Sequence, residues 1–299
     1  MAITILDGGM GRELERSGAP FRQPEWSALA LMEAPETVTA AHSRFIKAGA
    51  QVITTNSYAL VPYHIGEDRF RDQAADLAAL AGRLAREAAD AAPGTRVAGS
   101  LPPVFGSYRP EHFRADTAQD YLSVLVTGLA PSVDLWLAET TSSLAEAQAA
   151  ATAVADSDKP LWISFTLRDG GVLADLPEPL LRSGERVADA VRLAHSVGAQ
   201  AILFNCAMPE VMGPAIAVTR QVLADLGADL QIGVYANAFA SQDEDGDAND
   251  VVSDVRDDLD PHAYCGWTRD WAAAGATIIG GCCGIGAEHI HALTDQHRH

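Results

Sequence analysis

The sequence predicts an α/β protein folded as a single (β/α)8 barrel of the TIM type. Short apolar and β-branched runs alternate with longer alanine- and leucine-rich amphipathic segments along the whole chain. Several of the short runs are apolar throughout, as parallel strands buried on both faces must be. The stretches "AGAQVITTN", "VGAQAILFN" and "AGATIIGG" echo one another, each a helix end, a glycine, an alanine and then a strand. Eight such units in 299 residues match the size of one barrel. A doubly wound open sheet is the alternative that the pattern alone leaves standing.

The strand candidates are 3–7, 51–55, 96–100, 133–139, 161–166, 201–205, 231–235 and 277–280. Helical patterns lie between them, clearest at 36–48, 68–91, 117–130, 144–153, 184–197 and 210–226. Pro35 ahead of the first and Gly49 behind it are start and stop signals, and Gly198 and Gly227 close later helices in the same way. No linker divides the chain, so residues 1–299 are read as one domain. One segment, 241–261, is strongly acidic with little apolar content. It reads as a mobile surface loop after the seventh strand, either a tolerated solvated insertion or a lid over the site.

Composition bounds the function. With 48% hydrophobic and 20% charged residues the chain can bury a large core without disulfides. The net charge of −19 argues against nucleic acid and against anionic membrane surfaces. "MAITILDGG" has neither a basic n-region nor an apolar h-region, and no apolar run reaches the ~18 residues of a membrane helix. A cytoplasmic protein is expected. There, cysteines serve as metal ligands, reactive thiols or core residues more often than as disulfides.

In a (β/α)8 barrel the active site lies at the C-terminal ends of the strands. Those ends carry Asp7-Gly8-Gly9, Thr55-Asn56-Ser57-Tyr58, Ser100, Glu139-Thr140-Thr141, Asn205-Cys206, Asn237 and Gly280-Gly281-Cys282-Cys283-Gly284. Three of the four cysteines therefore fall at strand ends that converge on one mouth. Cys206, Cys282 and Cys283 would make a three-thiolate zinc site, with a position left for substrate. The flanking glycines permit the sharp turn that two adjacent ligands need. A redox disulfide between Cys282 and Cys283, or two plain core thiols, also fits the spacing. Cys265, ahead of the last helix, reads as structural. Asp7 and Glu139 end apolar strands, where a carboxylate is costly unless solvated or paired. Together they suit a cationic group such as an ammonium, and capping of the following segment is the alternative for each.

The stretches "DGGMGRELERSG", "WSALALMEAPETV", "AGAQVITTNSY", "GSLPPVFGSYRPE", "AETTSSLAEAQAA", "ILFNCAMPE" and "AGATIIGGCCGIGAEHI" resemble the zinc-dependent homocysteine S-methyltransferases. The resemblance spans nearly the whole chain. It implies a barrel with Zn²⁺ on Cys206, Cys282 and Cys283, and homocysteine bound through its sulfur. It implies that Asp7 and Glu139 hold the amino acid's ammonium, and that Thr55 and the backbone around Gly8 and Ser27 lie near its carboxylate. Asn237 resembles a residue that takes zinc's fourth position when substrate is absent. Trp26 matches an aromatic near the methyl-donor pocket. Tyr58 would add a second ring for a cation–π contact to an onium donor. The short form of the chain resembles the branch that uses S-methylmethionine or S-adenosylmethionine. Betaine, another onium donor or a selenol acceptor are the alternatives. The lack of a C-terminal arm suggests a monomer or weak homodimer. A thiol-redox protein and a binding-only barrel are the readings from other classes.

Overall fold

A computed structural model describes residues 2–170, 178–240 and 255–297. Its strands are β1 (Thr4–Ile5), β2 (Val52–Thr54), β3 (Arg96–Leu101), β4 (Leu135–Thr141), β5 (Leu161–Phe165), β6 (Ala201–Asn205), β7 (Gln231–Tyr235) and β8 (Ile278–Ile279). Its α-helices are α1 (Met10–Arg16), α2 (Ser27–Glu33), α3 (Pro35–Ala48), α4 (Pro62–Ile65), α5 (Glu67–Asp90), α6 (Ala115–Leu129), α7 (Leu144–Ala153), α8 (Val187–Ser196), α9 (Pro209–Leu226), α10 (Pro261–Ala274) and α11 (Ala287–His297). Neighbouring strands pair in parallel in the order β1-β8-β7-β6-β5-β4-β3-β2. The ring closes between β1 and β2: Leu6 bridges Val52 in parallel, and Asp7 N–H donates to the Val52 carbonyl at 3.1 Å. Closure removes both sheet edges and rules out the open doubly wound sheet.

Two apolar layers hold the barrel. Leu6, Val52, Leu135, Leu137, Trp162, Leu203 and Ile278 fill its interior. Arg96 lays its guanidinium over the Trp162 ring, 5.2 Å from the centroid. The outward side chains, among them Trp136, Ile163, Phe165 and Phe204, pack under the helices. Each such fully buried large side chain contributes roughly 1.5–3 kcal/mol.

Local signals account for the helices. Pro35 starts α3, and Gly49 ends it at φ +110°, where a Cβ would stand 2.3 Å from Thr294 Oγ1 on α11. Ser143 and Glu146 cap each other's backbone at the start of α7. Asp260 accepts from Ala263 N–H at 2.8 Å to start α10.

The structure corrects the sequence reading in three places. Cys265 lies inside α10, and the last helix is α11. The helix expected from Gly184 begins at Val187, because Glu185 is spent on Ser183 Oγ and Leu144 N–H. α1, α2 and α4 were not expected; α1 and α2 have only seven residues each and α4 four, too few for periodicity to register. Most of the acidic segment, 241–254, lies outside the described residues, but its tail is anchored. Arg256 pairs with Glu210 and Asp258, both at 2.8 Å, and Leu259 is buried. Among the described residues no helix is long and apolar enough to cross a membrane.

Candidate active site

The two-residue period of a strand decides what reaches the mouth. In β4, Leu135 and Leu137 point inward, so Glu139 does too. In β6, Leu203 points inward and Asn205 follows it. The same count places Ser100, Ser164 and Tyr235 on the inner face. The interior thus changes from apolar to polar towards the strands' C-terminal ends. Ser164 Oγ donates to Asn205 Oδ1 at 2.7 Å, and Asn205 Nδ2 donates to Thr140 Oγ1 at 2.8 Å. Asn205 Oδ1 also accepts from Thr140 N–H at 3.1 Å. That bond holds a bulge: the β4–β5 register shifts between Ala138 and Thr141, and Thr140 sits at φ +59°.

Beyond this layer the three thiols meet. Cys206 leaves β6 at φ +49°, which breaks the strand's alternation and turns its side chain to the mouth. Gly280 and Gly281 leave no room for a Cβ: one would stand 2.4 Å from Leu6 Cβ, the other 2.1 Å from Ile285 Cγ2. The backbone therefore runs close to β1 and then turns, bringing Cys282 and Cys283 to Cys206. All three sulfurs lie within 4.8 Å of one another, and those of Cys206 and Cys283 are 3.8 Å apart. Hydrogen bonds from Cys282 and Cys283 hold the Cys206 pKa well down, with help from Tyr108 and the Arg182 charge. The Cys282 and Cys283 pKa values are pushed well up, because a hydrogen bond with the Cys206 sulfur favours their protonated forms and a second negative charge would be buried beside the first. Such a site favours one thiolate by itself and three only around a cation.

The acids face the thiols. Asp7 accepts from Thr54 N–H at 2.7 Å and from Thr54 Oγ1 at 3.2 Å. Burial nevertheless raises its pKa to about 7. Glu139 accepts from Ser100 Oγ. Its pKa is pushed to about 8, first by burial and then by the charges of Asp7 and Cys206. An arriving cation would return both to carboxylates.

Every residue expected to touch metal, substrate or donor lines this one cavity: the three cysteines, Asn237, Asp7, Gly8, Thr55, Glu139, Ser27, Trp26 and Tyr58. Their side chains are not equally free. Thr55 Oγ1 is bonded to Ser57 Oγ at 2.9 Å and to Ser100 N–H at 3.0 Å, while Thr54 reaches Asp7. Tyr58 OH bonds Ser107 Oγ at 2.6 Å. Asn237 Oδ1 accepts from Phe239 N–H at 3.3 Å. Trp26, at φ +50°, stands edge-on to Phe21. Cys265 is buried elsewhere and takes no part. Sequence reasoning missed Arg12, Thr54, Tyr108, Tyr235 and Phe239, all on the cavity wall. Tyr235 was within reach of the strand-end rule; Tyr108 comes from a loop that no strand predicts.

A closed (β/α)8 barrel whose mouth joins a thiol triad to a buried acid pair defines an enzyme site able to take a soft metal and a small cationic substrate. A model of the homocysteine S-methyltransferase family matches residues 4–297, so the chain belongs to that family, and its reaction is methyl transfer to homocysteine. Homocysteine S-methyltransferase of Escherichia coli K12 is 32% identical over 314 residues, covering 97% of this chain and 94% of that protein. Selenocysteine methyltransferase of Astragalus bisulcatus is 25% identical over 316 residues, covering 93% and 88%. The crystal structure of the E. coli homocysteine methyltransferase MmuM in its metallated form superposes with a TM-score of 0.76 at 28% identity, over 99% of this chain and 96% of that one.

Proposed function

We propose that Cys206, Cys282 and Cys283 hold a zinc ion, and that the methyl donor is a sulfonium, S-methylmethionine or S-adenosylmethionine. The donor set fits the ion: two ligands of a tetrahedral site with Zn–S near 2.3 Å stand about 3.8 Å apart. Cys206 and Cys283 have that separation before any ion is considered. When bound, zinc makes the thiolate form of a substrate thiol available at neutral pH.

The chain's own residues do the rest. Asp7 and Glu139 take the homocysteine ammonium, which offsets the burial that raises their pKa values. The backbone at Gly8 and Ser27, with Thr55, lies against its carboxylate. Asn237 stands beside the thiols as a neutral oxygen donor for a site without substrate. Trp26 and Tyr58 face the donor, where a cation over a ring is worth roughly 0.5–2 kcal/mol. In the transfer the donor's S–CH3 bond breaks as the new S–CH3 bond forms, leaving a neutral thioether donor product and methionine. Opposite charges cancel along that path, so apolar walls that exclude water favour it. A single domain carries the whole reaction, with small molecules as its partners.

The observation that carries this reading is the thiol triad and the acid pair sharing one cavity. The test uses metal-quantified protein, homocysteine and, separately, S-methylmethionine, S-adenosylmethionine, betaine and dimethylsulfoniopropionate. Methionine from one sulfonium donor, abolished by Cys283→Ala, is the expected result. Methionine from betaine alone overturns the donor, and full activity without metal overturns the zinc site. The selenocysteine methyltransferase among the relatives favours one further arm, selenocysteine as acceptor.

A further inference from the structure

Cys206 occupies a left-handed backbone conformation that a non-glycine residue leaves unless its surroundings hold it there. Its neighbours close a circuit around the turn it begins. The Cys206 carbonyl accepts from Tyr108 OH at 2.9 Å and from Thr166 Oγ1 at 3.2 Å. Two residues on, Met208 N–H donates to Asp169 Oδ2 at 3.1 Å. Asp169 Oδ1 pairs with Arg182 Nη2 at 2.8 Å, with side chains 0% and 11% exposed. The Arg182 guanidinium covers the Tyr108 ring at 4.4 Å, returning to the first bond. Tyr108 is itself at φ +64°.

A buried ion pair is a poor device for stability alone, because desolvation offsets most of its attraction. This one is attached, at Asp169 directly and at Arg182 through Tyr108, to the two peptide groups that follow a thiol of the triad. We propose that Tyr108, Asp169 and Arg182 are positioning residues, which hold the 206–208 turn so that the Cys206 sulfur meets those of Cys282 and Cys283 at metal-binding distance. The inference rests on the zinc reading above. The circuit acts on the metal before substrate arrives, so its effect is read in metal affinity as well as turnover.

The test compares full-length wild type with Tyr108→Phe, which removes one hydroxyl, and with Asp169→Asn combined with Arg182→Gln, which removes both buried charges together. Zinc affinity is measured by competition with a chromophoric chelator. The cobalt-loaded proteins are examined for d–d and sulfur-to-cobalt bands, and the metal-free proteins are melted. Outer partners of this kind typically change metal affinity about 10- to 100-fold. Loss of that size with displaced cobalt bands, in variants whose metal-free melting matches wild type, is the expected result. Wild-type affinity and spectra in both variants overturn the inference while leaving the zinc site intact. A lowered metal-free melting temperature with unchanged affinity in the folded fraction also overturns it, since that is a purely structural role. Wild type that retains no zinc overturns the zinc reading and this inference with it.

Discussion

Glu139 shows how one residue's place is set by counting and its chemistry by burial. The alternation of β4 turns it inward, and its depth raises its pKa to about 8, with Asp7 raised to about 7. In the free protein both acids become ionised only as the pH passes through those values. An ammonium binds the ionised forms. Affinity for methionine, the product, which lacks a titrating thiol, is therefore expected to rise between pH 6 and 8.5. Calorimetric titration across that range checks it, and affinity that falls with pH would contradict the assignment. Glu139→Gln keeps the bond from Ser100 and removes the charge. A hydrogen bond to a charged group is worth ~1.5–3 kcal/mol, so KM for homocysteine should rise roughly 10- to 100-fold, with kcat changed much less. An equal fall in kcat at unchanged KM would move Glu139 from binding to the chemical step. Of the site residues, those at strand ends were legible because the barrel rule says where to look. Tyr108, Asp169 and Arg182 were not. They lie in loops, and the bond from Tyr108 to Cys206 spans 98 positions of sequence.

At the scale of elements, caps and glycines carry testable energy. Ser143 accepts from Glu146 N–H at 3.2 Å, and Glu146 returns the bond to the backbone of Ser142 and Ser143. Ser143→Ala should cost about 1 kcal/mol of stability, seen as a lower urea midpoint at unchanged slope. Gly49→Ala combines a strained φ with a clash against α11. It should cost more than the cap, on the order of 2–4 kcal/mol, and the same urea titration ranks the two. A Gly49→Ala protein as stable as wild type would mean that α3 and α11 separate easily. The helices that the sequence predicts, α3, α5, α6, α7, α8 and α9, each run for ten residues or more. α1, α2 and α4 are too short to display a period; α1 and α2 pack against α3, and α4 against α5.

For the whole molecule, buried histidines set a limit on acid stability. His42 is fully buried on α3, and burial alone lowers its pKa from 6.5 to about 4. Burial likewise lowers that of His64 to about 4, against the pull of its bond to the Pro24 carbonyl. The unfolded chain protonates these rings near pH 6.5 and the folded chain near 4. Their stabilising share is thus complete above pH 6.5 and is lost as the pH falls toward 4. Asp7 and Glu139, with raised values, act in the opposite sense, so the variant difference is the useful quantity. Between pH 7 and 5, wild type should lose roughly 2 kcal/mol relative to His42→Leu. Urea unfolding of both proteins at the two pH values measures it, and a difference independent of pH would show that His42 is protonated in the fold.

All eight strands, six of the longer helices and the identity of the thiols and acids could be read from the sequence, because each is local. A strand's register, a helix's stripe, a proline start or a glycine stop is written within a few residues. What the tertiary structure decided is convergence. Leu6 meeting Val52 closes the ring, and parallel pairing sets β6 and β8 on either side of β7. Only then do Cys206 and Cys283, 77 positions apart, come to 3.8 Å. The polar layer beneath them, the bulge at Thr140 and the ion pair behind Tyr108 follow from that packing. Each joins residues whose separation along the chain carries no signal in any single segment.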